Sequence, residues 1–476
     1  MNIVGRKREQ DILCRCLSSG RPEFVVVYGR RRIGKTYLIK EYFNNSFSFY
    51  VTGAPGLKKR GQIKVFHQSL REYGYPEHKA PSDWFEAFSR LKILLSSDRI
   101  KRDPKSGRRI IFLDELPWLD SARSEFKTAL DLFWNGWAST QADLCLIVCG
   151  SATSWIIDNL LFSRGGFYNR ITRRIHLKPF SLHECEELYH LNGIHLPRYQ
   201  LVKSYMVFGG VPYYINCFDR RLSLDQNIQE NVFAEDGQLR DEYDHLFESL
   251  FLHSEKHVQL IHAMAEKGLG LTRDELSGKT GISNGSSMTK YLDELEQCGF
   301  IRKYKAYSKE KYGYIYQLTD PFVLFCHRFL KAERISSWTA FSVSPGYYAW
   351  AGNAFEIVCL HHIGQIKATL GISGVQTSEY TWRSRKSNSG SGAQIDLLID
   401  RQDGVINLCE MKFSEAAFTI DKKYREELLH KCECFRLETN SKKALYLTLV
   451  SMNGLKMNAY SDIVQSTVSG DQLFLP

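Results

Sequence analysis

Short apolar runs separated by helical periodicity fill residues 1–245. The runs at 24–28, 110–113, 144–149 and 175–177 are continuous enough to be strands buried on both faces. Longer stretches with apolar residues at helical spacing lie between them. This alternation predicts an α/β domain in which a mostly parallel sheet is covered by helices, with a small helical lid at its end.

Residues 250–335 show a different order, with helices first and a hairpin afterwards. Thr272 is followed three residues later by Glu275, a capping-box pattern that marks the start of a helix. Gly281 begins the turn to the next helix. The predicted elements are helices at 258–267, after Thr272 and at 286–297, then strands at 300–307 and 312–318.

The last block, residues 345–476, again mixes strands with helices. A Ser/Gly-rich stretch at 384–392 is typical of a loop. The predicted elements are helices at 351–370 and 422–434 and strands at 393–400, 404–413 and 444–449. This order predicts a second α/β domain.

Composition limits the class of protein. The chain has 476 residues, too many for one core, and is 43% hydrophobic and 24% charged, as soluble globular proteins are. Its first residues are polar, and no apolar run approaches the roughly 20 residues that a bilayer requires. The twelve cysteines lack the spacing of a CxxC…CxxC zinc site. We therefore expect a cytoplasmic protein with reduced thiols and no membrane segment.

The net charge of +10 is unevenly distributed. Residues 345–476 carry equal numbers of acidic and basic residues, so the whole excess lies in residues 1–344. A mild basic excess is compatible with a polyanionic partner but is weak evidence for one.

Eight consecutive residues after the first apolar run match the phosphate-binding pattern G-x-x-x-x-G-K-[ST]. They are Gly29, Arg30, Arg31, Arg32, Ile33, Gly34, Lys35 and Thr36. The pattern follows a predicted strand and opens a predicted helix, so that backbone N–H groups face the phosphates. We expect Lys35 to reach the β- and γ-phosphates of ATP and Thr36 to offer its hydroxyl to Mg²⁺.

Acidic and small polar residues follow two further strands. Asp114 and Glu115 come directly after the run at 110–113, and Ser151 follows the run at 144–149. We expect Asp114 to hold Mg²⁺ and Glu115 to take a proton from the attacking water. Ser151 is suited to orienting that water or touching the γ-phosphate. A simpler interpretation stays open, in which Glu115 and Ser151 only cap the segments that follow them.

An arginine-rich segment precedes the run at 175–177. One of its four arginines, Arg164, Arg170, Arg173 or Arg174, is the candidate arginine finger, and Arg170 is expected among the nucleotide-binding residues. Such a finger acts in cis or toward a neighbouring molecule. Charge that faces solvent or nucleic acid is the open alternative.

Taken in order, these motifs resemble the archaeal-type AAA+ ATPases, a STAND-related family. The resemblance covers residues 1 to about 245 and rests on the box Val4-Gly5-Arg6…Glu9, the loop GRRRIGKT, the strand end FLDEL, the strand ending in GS, the segment YNR and the turn FGGVPYY. It implies that the box at 4–9 lies near the adenine. The chain departs from mainstream AAA+ proteins at Ser151, where an Asn is usual.

The middle block has the element order of a winged helix. Residues 283–291 would begin the recognition helix, and the hairpin would be a wing with a basic tip formed by Lys303, Lys305, Lys309 and Lys311. A winged helix follows the ATPase in the same family, and the resemblance implies DNA as a partner. The alternative is a module that packs only against protein, because its charge excess is small.

Charged residues interrupt the apolar strands of the last block. Asp396 lies in the run at 393–400, and Glu410 and Lys412, two residues apart, share one face of the next strand. Glu356 could approach from the preceding helix. Two carboxylates on one Mg²⁺ beside a lysine are suited to phosphodiester hydrolysis.

This array resembles the PD-(D/E)XK nuclease superfamily, as found at the C-terminus of the same ATPases. The resemblance implies that Asp396, Glu410 and Lys412 are catalytic, with Asp396 and Glu410 holding the metal. A nuclease-like domain that has lost cleavage and is retained for binding stays open.

Together these patterns predict an α/β P-loop NTPase (AAA+-like) with a parallel sheet and helical lid at 1–245, a winged helix at 250–335 and a restriction-endonuclease-like α/β domain at 345–476. The predicted function is an ATP- and Mg²⁺-dependent ATPase switch that acts on DNA, with DNA cleavage by the last domain. The alternatives are a non-cleaving DNA-binding regulator and a STAND-like scaffold for a protein partner. A homo-oligomer is compatible with each.

Overall fold

The computed structural model describes residues 3–161, 167, 169–248, 250–251, 254–268, 270–307, 314–331, 335, 337–384 and 393–476. The chain divides into two units, residues 1–178 with 249–252, and residues 179–248 with 253–476. The predicted domain boundaries near 245 and 340 stay predictions. The tip of the predicted wing, with Lys309 and Lys311, and most of the Ser/Gly-rich stretch lie outside the described residues.

The first unit alternates strands with helices. Its elements are α1 (Lys7–Ser18), β1 (Glu23–Tyr28), α2 (Lys35–Tyr42), β2 (Phe49–Thr52), α3 (Lys59–Glu72), α4 (Trp84–Leu95), β3 (Arg109–Asp114), α5 (Leu116–Leu119), α6 (Phe126–Gly136), β4 (Leu144–Gly150), α7 (Thr153–Ile156) and β5 (Arg173–His176). The strands pair in parallel in the order β2-β3-β4-β1-β5. The predicted α/β fold with a parallel sheet is confirmed.

Burial on both faces explains why the strands of this sheet are continuous apolar runs. Side chains alternate between the faces. Phe24 and Val26 belong to one apolar cluster, whereas Val25 and Val27 belong to another on the opposite face. The strands β1, β3 and β4 are neighbours in the sheet, so their carboxyl ends, where the predicted ATP-site residues stand, meet at one edge.

The second unit begins with helices and a small sheet. Its elements are α8 (Leu182–Leu191), α9 (Arg198–Phe208), α10 (Pro212–Asn216), α11 (Leu224–Ile228), α12 (Glu242–Glu248), α13 (Glu255–Ala265), β6 (Leu271–Thr272), α14 (Arg273–Thr280), α15 (Ser286–Gln297), β7 (Ile301–Lys305) and β8 (Tyr314–Leu318). Thr272 and Glu275 form the predicted capping box. The predicted order of helices followed by an antiparallel hairpin is therefore present.

The rest of this unit is built on a mixed sheet. Its elements are α16 (Pro321–Phe329), α17 (Trp338–Phe341), α18 (Pro345–His361), α19 (Ile363–Thr369), β9 (Thr377–Arg383), β10 (Gln394–Arg401), β11 (Val405–Lys412), β12 (Phe418–Thr419), α20 (Lys422–Thr439), β13 (Ala444–Ser451), β14 (Leu455–Lys456) and β15 (Ser466–Ser469). The strand order is β15-β13-β11-β10-β9, in which β10 is antiparallel to β9 and β11 while β11, β13 and β15 are parallel.

The single helix predicted at 351–370 is wrong. Helix α18 begins six residues earlier and ends at His361, and α19 follows after His362. His362 leaves helical geometry (φ −116°, ψ 28°) and is 1% exposed. Its Nδ1 donates to the carbonyl of Val358 at 2.7 Å, and its Nε2 accepts the N–H of Leu182 at 2.9 Å. This contact with a distant segment breaks the helix.

Two further expectations concern the chain as a whole. None of the twelve cysteines, all of which lie in described residues, forms a disulfide. Within the described ranges, none of the helices has both the length and the apolar character that crossing a bilayer demands.

Gly210→Ala should destabilise the second unit. A Cβ at Gly210 would lie 1.9 Å from the carbonyl oxygen of Phe180, and the N–H of Phe180 donates to the carbonyl of Gly210 at 2.6 Å. Because backbone lies on both sides of this contact, the extra methyl should lower the free energy of unfolding by roughly 3 kcal/mol. Urea unfolding measures the change.

The matched control is Gly278→Ala in α14, where a Cβ meets nothing within 4 Å. This substitution should be neutral or should stabilise by up to about 1 kcal/mol, since alanine favours helix. Equal unfolding midpoints for the two variants would show that the Gly210 contact is not tight.

Candidate functional site

The loop between β1 and α2 is wound tightly by residues in left-handed geometry. Gly29 and Gly34 have φ values of 142° and 88°, and Arg32 has 69°. A Cβ on Gly29 would lie 2.3 Å from the carbonyl oxygen of Leu177. Glycine is therefore required at this position for space as well as for backbone conformation.

The side chain of Lys35 folds back onto backbone carbonyls of its own loop. Its Nζ donates to the carbonyls of Gly29 at 2.9 Å and Arg30 at 2.8 Å, and the residue is 4% exposed. The ammonium therefore lies within the ring of the loop, in the position from which it can bind a phosphate. No side chain caps the start of α2 at Gly34.

The remaining loop residues point in different directions. Ile33 is buried in an apolar cluster of the sheet, and Arg30 is 1% exposed. Arg31 is exposed, and Arg32 is half-buried. These residues differ in how accessible they are to a ligand, and their contact with the nucleotide stays a prediction.

Thr36 and Asp114 meet although they are 78 positions apart. The Thr36 hydroxyl lies 3.0 and 2.9 Å from the two carboxylate oxygens of Asp114. The Cys149 thiol on the neighbouring strand donates to Asp114 Oδ1 at 2.6 Å. Burial raises the pKa of Asp114 and also raises the pKa of the Cys149 thiol, which therefore keeps its proton. A hydroxyl and a carboxylate so placed fit Mg²⁺, which prefers oxygen ligands.

Glu115 and Ser151 also meet at this edge. The Ser151 hydroxyl donates to Glu115 Oε1 at 2.6 Å, and the Ser151 N–H donates to Oε2 at 3.1 Å. Glu115 has left-handed backbone geometry, with φ 47°. In this arrangement Ser151 holds the Glu115 carboxylate, and the residue at the N-cap of α7 is Ala152, not Ser151.

Arg6 is a loop contact that sequence reasoning missed. Its guanidinium donates to the carbonyl of Lys178 at 2.7 Å and to that of Ile33 at 3.3 Å, and it is 6% exposed. The box at 4–9 therefore lies against the loop and the segment after β5. The signal available in the sequence was an arginine at the end of a Val-Gly-Arg box ahead of the first helix.

Of the candidate finger arginines, Arg170 lies exposed in the turn ahead of β5. Arg173 contacts Glu23 at 3.9 Å, at the amino end of β1, away from the edge where Asp114 stands. Arg164 lies outside the described residues. The role of Arg170 therefore stays a prediction.

A second group of acids lies in the other unit, on β10 and β11. The pairing of β10 with β11 ends at Leu397 opposite Cys409, and Asp396 and Glu410 are the residues directly beyond that pair. Burial raises the pKa of Asp396, and the two carboxylates are close enough for the charge of Glu410 to raise it further. The pairing of β10 with β9 shifts register between Ile395 and Leu398, and such an irregularity re-aims the side chain it contains. The predicted pair Asp396 and Glu410 is brought together.

Glu410 is surrounded by donors. Lys412 Nζ lies 2.9 Å from Oε1, Tyr424 donates to the same oxygen at 2.6 Å, and Lys431 donates to Oε2 at 2.8 Å. Tyr424 and Lys431 were missed in the sequence. They lie seven residues apart on α20, a spacing that places both on one face of a helix.

Burial and charge set the protonation of the acids differently. Burial, followed by the charges of Asp396 and Glu410, raises the pKa of Glu356 to about 8. Burial also raises the pKa of Asp396. Burial acts on Glu410 in the same direction, but Lys412 and Lys431 outweigh it and hold the pKa of Glu410 below its ordinary value.

A divalent cation at this position would offset the repulsion between the neighbouring carboxylates. In the part of the chain that the structure describes, no three His, Cys, Asp or Glu side chains form a metal-binding group. Glu356 therefore lies near Asp396 and Glu410, but the three carboxylates do not form a metal-binding group of this kind. Asp396 and Glu410 stay the two carboxylates predicted to hold a cation, and Lys412 Nζ lies beside Glu410.

Comparison with known proteins finds a family match in the first part of the chain, across the first unit and the start of the second. Residues 3–218 match a family described as an ATPase domain predominantly from Archaea. An uncharacterised protein of Methanocaldococcus jannaschii is 24% identical over 455 residues, which cover 92% of this chain and 94% of that protein. An uncharacterised ATP-binding protein of the same archaeon is 43% identical over 43 residues, covering 9% of this chain and 73% of that protein.

Two solved structures overlap a large share of the chain. The Walker-type ATPase of Pyrococcus abyssi has a TM-score of 0.49 and 19% identity, covering 69% of this chain and 97% of its own. The ORC2 protein of Aeropyrum pernix, with ADPNP and ADP, has a TM-score of 0.45 and 16% identity, covering 70% and 95%.

Lys35→Ala should abolish ATP binding or turnover. The substitution removes the cation that faces the phosphates, a loss of several kcal/mol in the loaded state. The matched control is Lys40→Ala on the same helix, which removes only a cation–π contact with Tyr50 at 4.4 Å. ATP turnover at the wild-type rate in the Lys35 variant would show that the site is assigned wrongly.

Cys149→Ala should raise the Mg²⁺ concentration that gives half-maximal ATP turnover by about tenfold, because lost support of a metal-binding carboxylate weakens metal affinity. Cys149→Ser, which keeps a donor, should restore the wild-type value. Cys145→Ala, a buried cysteine of the same strand, is the control. A rise of equal size in the Cys145 variant would trace the effect to packing.

Proposed function

We propose that the protein is a Mg²⁺-dependent ATPase switch that acts on DNA. The premise of this proposal is the match of residues 3–218 to a family of ATPase domains found predominantly in Archaea. The observation that carries the ATPase part is the meeting of Lys35, Thr36 and Asp114 at one edge of a parallel sheet. The proposed action on DNA rests on the second group of acids and on the hairpin.

At the ATP site, Thr36 and Asp114 would hold Mg²⁺, which supplies charge neutralisation and orients the phosphates. Lys35 would exchange its two carbonyl acceptors for phosphate oxygens. Glu115 would accept a proton from the attacking water, and Ser151, bonded to that carboxylate by hydroxyl and N–H, would keep it in position.

At the acidic site, Asp396 and Glu410 would hold Mg²⁺, which polarises the scissile phosphate of DNA. Lys412 is the group suited to orienting the attacking water or helping to deprotonate it, since it lies on the face of β11 that carries Glu410. Glu356, whose pKa is raised to about 8, is suited to donating a proton at neutral pH. These roles make the second unit a phosphodiesterase.

Binding of DNA is assigned to the three-helix module and its hairpin. The start of α15 has no side-chain cap, which suits a helix N-terminus that approaches phosphate. Lys305 on β7 is exposed, and Lys303 Nζ lies 4.4 Å from the ring centroid of Tyr314 on β8. Basic and aromatic side chains on a hairpin are typical of contacts with the DNA backbone.

A non-cleaving DNA-binding regulator is the second candidate. It is favoured by the two lysines and the tyrosine that already engage Glu410, because a cation would have to compete with them. A scaffold for a protein partner is favoured by the bond from the Tyr307 N–H to the Thr381 carbonyl at 3.1 Å, because it attaches the hairpin, just before its tip, to β9.

Incubation of the full chain with supercoiled plasmid and Mg²⁺ or Mn²⁺, with and without ATP, tests the proposal. We expect nicking or cutting by wild type. Asp396→Asn and Lys412→Ala should each remove cleavage and spare ATP turnover, because the two sites lie in different units. Asp403→Asn, an exposed residue in the turn between β10 and β11, is the control.

The outcomes separate the candidates. Ca²⁺ should support binding without cleavage, and binding should weaken steeply with salt. Salt-dependent binding without cleavage by wild type in either metal would favour the regulator. Absence of binding at low salt would favour the protein scaffold, and cleavage by Asp396→Asn at the wild-type rate would place the nuclease elsewhere.

A further inference from the structure

The second unit contains a cavity of about 590 Å³ that neither proposed site accounts for. Its walls come from α16, α18 and β8, with the start of β10 at one end. The residues that matter here are Leu318, His327, Arg328, Trp350, Asn353 and Glu356. The volume lies within the range of about 300–1,000 Å³ that ligand sites occupy.

One wall of the cavity is continuous with the acidic site. Glu356 and Gln394 both line it. Gln394 Nε2 donates to Asp396 Oδ1 at 2.5 Å, and Asp396 and Glu410 adjoin Leu397 and Cys409, the last paired residues of β10 and β11. A group that enters the cavity and reaches Gln394 therefore arrives beside the carboxylate pair.

The other walls offer a guanidinium from Arg328, a carboxylate from Glu266, which pairs with Lys279 at 2.6 Å, and apolar surface. His327 and Arg328 are consecutive on α16, and Arg328 is exposed. Arg302, on the hairpin, donates from Nε to the lining residue Gln317 at 2.6 Å. Trp350 is held among other aromatic rings, with ring centroids 5.5 Å from Phe329 and 5.6 Å from Trp338. In nucleotide recognition, a guanidinium commonly binds the phosphate and an aromatic ring such as an indole contacts the base or sugar.

Size decides which form of DNA fits. The cavity has room for a nucleotide that has left its stack, as in enzymes that extrude a base into a pocket. A base-paired duplex is far larger than the cavity and does not fit inside it.

We propose that this cavity binds an unpaired nucleotide of a DNA strand, with Arg328 on its phosphate and Trp350 against its base or sugar. The substrate class of the acidic site is then single-stranded or transiently unpaired DNA. This inference rests on the proposed function for the choice of DNA as ligand, but its binding step does not require cleavage.

Binding is tested with the full chain in Ca²⁺, using a fluorescent single-stranded oligonucleotide and a fully paired, blunt-ended duplex of the same base composition. Arg328→Ala should weaken binding of the single strand about tenfold, the factor that one charge-assisted hydrogen bond supplies, and should leave the duplex unchanged. The control Arg220→Ala, an exposed arginine outside the cavity, should change neither. Equal weakening of both probes by Arg328→Ala, or no weakening, overturns the proposal.

Cleavage in Mg²⁺ distinguishes this inference from the proposed function. We expect a single-stranded circle to be cut at least tenfold faster than a relaxed, covalently closed duplex circle. Equal rates on the two circles overturn the inference and leave the nuclease assignment standing. Cleavage of neither circle overturns the nuclease assignment, while selective loss of single-strand binding by Arg328→Ala still supports the cavity.

Discussion

Thr36 and Asp114 are joined by hydrogen bonds of 3.0 and 2.9 Å, and the candidate ATP site depends on that contact. Asp114 is 3% exposed, and a buried carboxylate is costly unless donors satisfy it. Its donors come from different parts of the sheet, a hydroxyl from the helix after β1 and a thiol from β4. The requirement to satisfy one acid therefore ties the phosphate-binding loop to two other strands of the sheet.

In the acidic site of the second unit, charged side chains are among the donors that satisfy a buried carboxylate. Glu410 is 8% exposed and is satisfied by two lysines and a tyrosine, whereas Asp396 receives an amide hydrogen bond from Gln394. Removing one partner of such a buried group leaves a charge uncompensated. The pKa of Glu410 is therefore lowered whereas the pKa of Asp396 is raised, although the two carboxylates lie on neighbouring strands.

Local patterns were sufficient for many elements. The strands β1, β3 and β4, the capping box at Thr272 and the helix at 286–297 follow from residues next to each other in sequence. The strands β2, β9 and β15 are among those that were missed, β9 and β15 because their side chains are mostly polar. The break at His362 was missed because it depends on Leu182, 180 positions away.

The sequence by itself determined the loop from Gly29 to Thr36, the acids at the end of β3 and the Glu-x-Lys spacing on β11, because each of these is specified by neighbouring residues and by the period of a strand or helix. Only the tertiary structure decided that Cys149 supports Asp114, that Ser151 holds Glu115, and that Tyr424 and Lys431 reach Glu410. These contacts join strands and helices whose order in the sheet differs from their order in the chain. A side chain's partner across a sheet depends on that order, which no local pattern encodes.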